Sequence, residues 1–113
     1  MTITNAKLTS YGFLADMYRD GYFPNAQVDK VRQVLVDLCE AIETKRPSDT
    51  NLLLALTHAA TVRINGLQQD FEDHGSDLET AAREAIGADF AYIADAYGFG
   101  DIDTEDLIAP RDW

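Results

Sequence analysis

An all-α fold is predicted, in the form of a compact antiparallel helical bundle of three long helices plus short N- and C-terminal helices. Three observations predict it. Apolar residues recur at helical spacing through the long segments, proline and glycine fall mainly between those segments, and no convincing alternation of apolar and polar residues marks a strand. With 113 residues, 46% of them hydrophobic, the chain is long enough for one core and short for two, so residues 1–113 are expected to form a single domain. Residues 1–9 are expected to be a flexible lead.

The elements are predicted in order. A first helix from about Ser10 to Asp20 puts Phe13, Leu14, Met17 and Tyr18 on one side, and Gly21 ends it. "YFPN" is a tight connection with Tyr22 and Phe23 as aromatic anchors. The second helix starts near Asn25, a good N-cap, and carries Val28, Val31, Leu35, Leu38 and Ile42 on one face before stopping ahead of Pro47. The third is capped by Ser48 or Asp49 and runs to about His74, with Gly75 as its stop. "SDLE", from Ser76 to Glu79, reads as a capping box for the fourth, which ends at Gly98. A short last helix spans about Thr104 to Ile108, and the terminal Trp113 is expected to pack onto the body. Two glycines, Gly66 and Gly87, sit inside predicted helices, where close approach of a neighbouring backbone is the usual reason.

Asp89 is out of place. Leu78, Ala82, Ala85, Ile86, Ile93 and Ala96 form one apolar stripe of the fourth helix, and Asp89 falls in its middle. Arg63 interrupts the stripe of the third helix in the same way, among Leu56, Ala59, Ala60 and Leu67. If the two helices fold back on each other about Gly75, facing residue numbers sum to about 151, which brings Arg63 opposite Asp89. A buried charge is tolerated when paired and hydrogen-bonded, so an Arg63–Asp89 ion pair setting helix registry is expected. Asp70 and His74 extend the polar line along the end of the third helix. Arg63, Asp70, His74 and Asp89 are therefore the candidate binding residues of a polar seam between helices three and four.

Catalytic and metal motifs are not evident. A di-iron bundle needs Glu-x-x-His, but the residues three before His58 and His74 are Ala55 and Phe71. The segment from Asp101 to Asp112 has acids at some calcium-loop positions, but Asp106 stands where the loop needs glycine. No nucleophile elbow or phosphate-binding glycine loop occurs. Cys39 is the sole cysteine, at the edge of an apolar face, and is expected as a small core residue rather than a reactive thiol. No catalytic residue, metal or cofactor is assigned, and the reading leans away from an enzyme.

The formal charge of −11 bears on the partner class, and a negative surface also serves solubility alone. Nine Lys and Arg against twenty Asp and Glu supply no basic surface for nucleic acid or anionic membrane, whereas a basic protein is favoured. No apolar run is long enough to span a membrane and the first residues lack a signal-peptide core, so a cytoplasmic protein is expected. "YGFLADMYRDGYFPN" with "VDKV", then "THAAT", "GSDLETAAREAI" with "DF", "AYGF" and "LIAPRDW" resemble a bacterial family of small proteins catalogued as domain of unknown function 5713, from about Tyr11 to Trp113. The resemblance implies a compact, soluble, single-domain bacterial protein and transfers no catalytic residue.

The leading functional expectation is a protein-binding module for a basic partner, similar in size and charge to immunity proteins and antitoxins. Asp16, Asp20, Tyr22 and Phe23 are its candidate partner surface. The alternatives are a small-ligand or metal-binding protein using the polar seam, and a structural or regulatory homodimer using a surplus apolar position such as Val36; monomer and homodimer both stay open.

Overall fold

The computed structural model describes residues 3–113. Among them the chain is helical, without strands: α1 (Ala15–Arg19), α2 (Asn25–Lys45), α3 (Thr50–Asn65), α4 (Gln68–Asp73), α5 (Thr80–Ala96) and α6 (Thr104–Leu107). The three long helices are α2, α3 and α5. Helix α3 packs on α2 and α6, while α5 packs on α1, α2 and α6. Val28, Val31, Leu35, Leu53, Ile64, Phe71, Ile86, Phe90 and Ile93 fill the common core, and Trp113 closes onto it as expected.

Local chemistry explains most boundaries. Helix α2 begins after Pro24, whose fixed φ suits an entry position, and ends at Arg46 with φ 48° immediately before Pro47. Asp49 caps α3 by accepting the Leu52 N–H at 2.9 Å. Gly75 and Gly98, with φ 78° and 90°, close two Schellman turns: Ser76 N–H donates to the Phe71 carbonyl at 2.9 Å, and Phe99 N–H to the Ala94 carbonyl at 2.8 Å. The expected capping box does not form. Glu79 itself is the N-cap of α5 and accepts the Ala81 N–H, while Ser76 is buried at the Gly75 turn.

The predicted third helix is two helices. At Gly66 the α-pattern lapses, and Leu67 N–H turns to the Ile64 carbonyl three residues back at 2.9 Å before α4 begins. This break matters for the site. With α4 interposed, the connection from α3 to α5 is no short turn, and the register argument that set Arg63 opposite Asp89 loses its hairpin. The first helix is likewise shorter than predicted. Residues 6–10 form turns, and α1 starts only after Leu14, which adopts the left-handed conformation at φ 58°.

The described part of the segment expected to be a flexible lead, residues 3–9, is tied to the body. Thr4 N–H donates to both Glu43 carboxylate oxygens at 2.9 and 3.0 Å, the Thr4 hydroxyl to Oε1 at 2.7 Å and Asn5 N–H to Oε2 at 3.1 Å. Asn5 Nδ2 reaches the Ala96 carbonyl at 2.8 Å, the Tyr97 hydroxyl also donates to Glu43, and Leu8 is buried. Glu43 thus fastens the lead to α2 and to the end of α5. Partial burial raises its pKa, but the donors from Tyr97, Thr4 and Asn5 outweigh that and hold it down at about 2.

A carboxyl whose pKa is lowered by folding stabilises the native state above the unfolded value, about 4.3 for glutamate, and that stabilisation disappears as pH falls toward 2. Urea denaturation of wild type and Glu43→Gln is therefore expected to show the wild type more stable at pH 7, with the gap narrowing between about pH 5 and pH 2. A gap constant across that window would exclude Glu43 as the titrating fastener.

Candidate functional site

Asp89 lies on α5 and is 4% exposed. Its carboxylate accepts two short hydrogen bonds from the segment leading into α1: the Tyr11 hydroxyl to Oδ1 at 2.7 Å and the Leu14 N–H to Oδ2 at 2.7 Å. Leu14 is the N-cap of α1 and offers no side-chain cap of its own. Asp89 thus binds the start of α1 from across the fold, and does so where the backbone is left-handed, a conformation costly for a residue with a Cβ. Tyr11 is held on its other side by the Tyr92 ring, stacked at 4.2 Å between centroids, and by Phe13 edge-on at 5.1 Å. Burial pushes the Asp89 carboxyl above the usual range, the bonds from Tyr11 and Leu14 counter that, and the Asp16 charge adds to the rise. Burial and the hydrogen bond to Asp89 push the Tyr11 phenol up in turn, so Tyr11 stays a neutral donor.

Beside this anchor runs a cleft of about 450 Å³ between the α1 segment and α5. Its walls include Tyr11, Met17 and Phe23 and four carboxylates, Asp16, Asp20, Glu84 and Asp89; no Lys, Arg or His contributes to the lining. Arg19 pairs with Asp16 one turn along α1. Asp20 and Ala81 also border a shallower hollow with Tyr22, Asp77 and Glu79, so the acidic surface continues past the cleft mouth. Tyr22 stands out of this surface at 45% exposure, whereas Phe23 is 2% exposed and belongs to the core. Of the expected partner surface, Asp16, Asp20 and Tyr22 are presented outward and Phe23 supports them from beneath.

The expected polar seam is not assembled. Arg63 reaches away from α5 and pairs with Asp37 of α2 at 3.0 Å, with about half of its side chain exposed. Asp70 takes Lys30 of α2 at 2.8 Å, and that cation holds its carboxyl below the usual range. His74 Nδ1 lies 2.8 Å from the Asp70 carbonyl oxygen. Arg63, Asp70 and His74 therefore form surface links with α2 or within α4, and Asp89 is separate from all three. The Arg63–Asp89 pair is corrected accordingly. Val36, expected as surplus, is partly buried against the core. Cys39 is buried and its thiol is pushed up to about 12 by burial and by Glu43, which leaves it protonated and unreactive. Among the described residues no three His, Cys, Asp or Glu side chains group as a metal site.

Sequence reasoning found Asp89 but missed Tyr11, the Leu14 amide and Glu43. A tyrosine three residues before a leucine carries no signal of its own. The available hint was Gly12 between two aromatics ahead of a short apolar run, which marks an irregular segment rather than a helix start.

Removing Asp89 leaves a buried amide and a phenol without their acceptor, so Asp89→Leu is expected to cost about 2–4 kcal/mol. Arg63→Met, at an exposed pair, is expected to stay within about 0.5 kcal/mol. In double-mutant cycles by chemical denaturation, Asp89 and Arg63 should be additive, and Asp89 with Tyr11→Phe should couple by about 1 kcal/mol or more. Coupling in the first cycle and additivity in the second would reverse the assignment.

No curated protein and no solved structure matches this chain. A family model does, over residues 7–113, and it covers α1 to α6 together with both Tyr11 and Asp89. The chain belongs to that family, described as a family of unknown function, DUF5713.

Proposed function

We propose that the chain acts as one helical domain that binds a basic protein, with the α1–α5 cleft receiving a cationic side chain of that partner. The observation that carries this reading is the lining of the cleft: Asp16, Asp20, Glu84 and Asp89 surround a space of about 450 Å³ without a basic residue. A lysine or arginine side chain entering it would find carboxylates at the rim and apolar wall for its methylenes, the arrangement that suits a long amphipathic cation. Tyr22, exposed beside Asp20, adds an aromatic face that favours a second cation near the mouth. The net charge of −11 acts at longer range, raising the encounter rate with a positive partner and disfavouring nucleic acid.

The test is affinity capture from a lysate of the native host with tagged protein, at about 50 and 300 mM salt, beside the triple variant Asp16→Asn, Asp20→Asn, Glu84→Gln. The reading expects a stoichiometric basic protein that is retained at low salt, falls away at high salt and binds the variant roughly tenfold less well. A captured protein indifferent to both salt and the substitutions, or none at all, would contradict it.

A further inference from the structure

We infer that a second copy of this chain docks on the outer face of α3, antiparallel and related by a two-fold axis. This inference is independent of the cleft and of its proposed partner. On α3, Leu52, Ala55, Ala59 and Val62 follow one another at helical spacing on the side opposite the buried Leu53, Thr57 and Ile64. All four are exposed, Leu52 at 51% and Val62 at 54%. From Thr50 to Val62 no Asp, Glu, Lys or Arg occurs, in a chain in which 26% of residues are charged. Isolated exposed apolar residues need no explanation, but a continuous uncharged stripe along a long helix marks a contact surface.

The order of residues along the stripe selects the occupant. The large residues are at its ends and the small ones at its middle, so it is self-complementary when reversed. In an antiparallel crossing, Leu52 of one copy meets Val62 of the second, and Ala55 meets Ala59, where the small side chains let the helix axes approach. The charges that bracket the stripe complete the match. Asp49 precedes it at the N-cap and Arg63 follows it, so the reversal brings the acidic end of the stripe in each copy to the basic end of the other. Arg63 pairs with Asp37 through Nη1, and Asp49 accepts the Leu52 amide through Oδ1. A heterologous partner has no reason to mirror this arrangement, whereas a second α3 does so by construction. One crossing of this length covers well under the roughly 800 Å² per partner of a tight complex, so the dimer is a weak one.

Two copies of charge −11 repel, and salt screens the repulsion. Association through α3 is therefore expected to tighten as salt rises, the opposite of binding to a basic partner. Sedimentation equilibrium from about 10 µM to 1 mM should show the mean mass climbing from monomer toward dimer, more so at about 300 than 30 mM salt. Ala59→Glu puts two like charges at the centre of the contact and should weaken association at least tenfold, with circular dichroism and Tm unchanged because the site is exposed. Direction is tested by oxidative cross-linking with copper–phenanthroline: Ala55→Cys mixed with Ala59→Cys should cross-link faster than either variant alone, the native Cys39 being buried. A mean mass that stays monomeric at 1 mM and high salt, association untouched by Ala59→Glu, or like-with-like cross-linking that outpaces the mixture would each overturn the proposal.

Discussion

The buried carboxylate of Asp89 is the interaction on which the N-terminal third of this fold depends. It accepts the Tyr11 hydroxyl and the Leu14 amide, both at 2.7 Å, and so fixes the irregular chain that precedes α1. An ionised group at such depth is expensive, and it is tolerable only because donors are delivered to it with good geometry. The same bonds offset the cost of Leu14 in a left-handed conformation, since the orphan amide at the start of α1 finds an acceptor there that its own segment does not supply. The placement of α1, the wall it gives to the acidic cleft and the outward display of Asp16 and Asp20 follow from this one anchor.

A second fastener, on α2, holds the chain that precedes Tyr11 against the end of α5. Glu43 on α2 takes donors from Thr4, Asn5 and Tyr97, and Asn5 reaches the last turn of α5. The two carboxylates titrate in opposite senses. Glu43 is held low by many donors at a partly exposed site, whereas Asp89 is pushed up by burial that its two donors only partly offset. Acid therefore removes the Glu43 contribution as pH falls from about 4.3 toward 2, whereas protonation of Asp89 is favoured by folding.

Helical periodicity made the three long helices legible, together with their main breaks at Pro47, Gly75 and Gly98, because each break is a local matter of proline or of glycine at positive φ. Asp89 was also legible as a buried polar residue, since it interrupts an apolar stripe. Its partner was not. A register that faces Arg63 with Asp89 requires α3 to run unbroken to His74, and the lapse at Gly66 and Leu67 removes that short hairpin. Arg63 looked equally misplaced in its stripe, but it lies at the edge of the buried face, where a long side chain can leave the core and reach Asp37. Tyr11 and the Leu14 amide were beyond sequence reasoning, because a backbone donor carries no residue signature and the irregular turn that aims it is a tertiary effect. In the acidic surface the composition identified the charge, and only the fold showed that Asp16, Asp20, Glu84 and Asp89 border one cleft.

The most direct test of the anchor is hydrogen exchange at the Leu14 amide, followed by NMR in wild type and in Asp89→Ala. If Asp89 holds the start of α1, this amide exchanges in the wild type as slowly as those of Phe90 and Ile93 in α5. In the variant it should exchange at least a hundredfold faster relative to those same amides, which report the remaining core. A Leu14 amide that exchanges in the wild type at the rate of an unstructured peptide, or one equally protected with and without the carboxylate, would contradict the account.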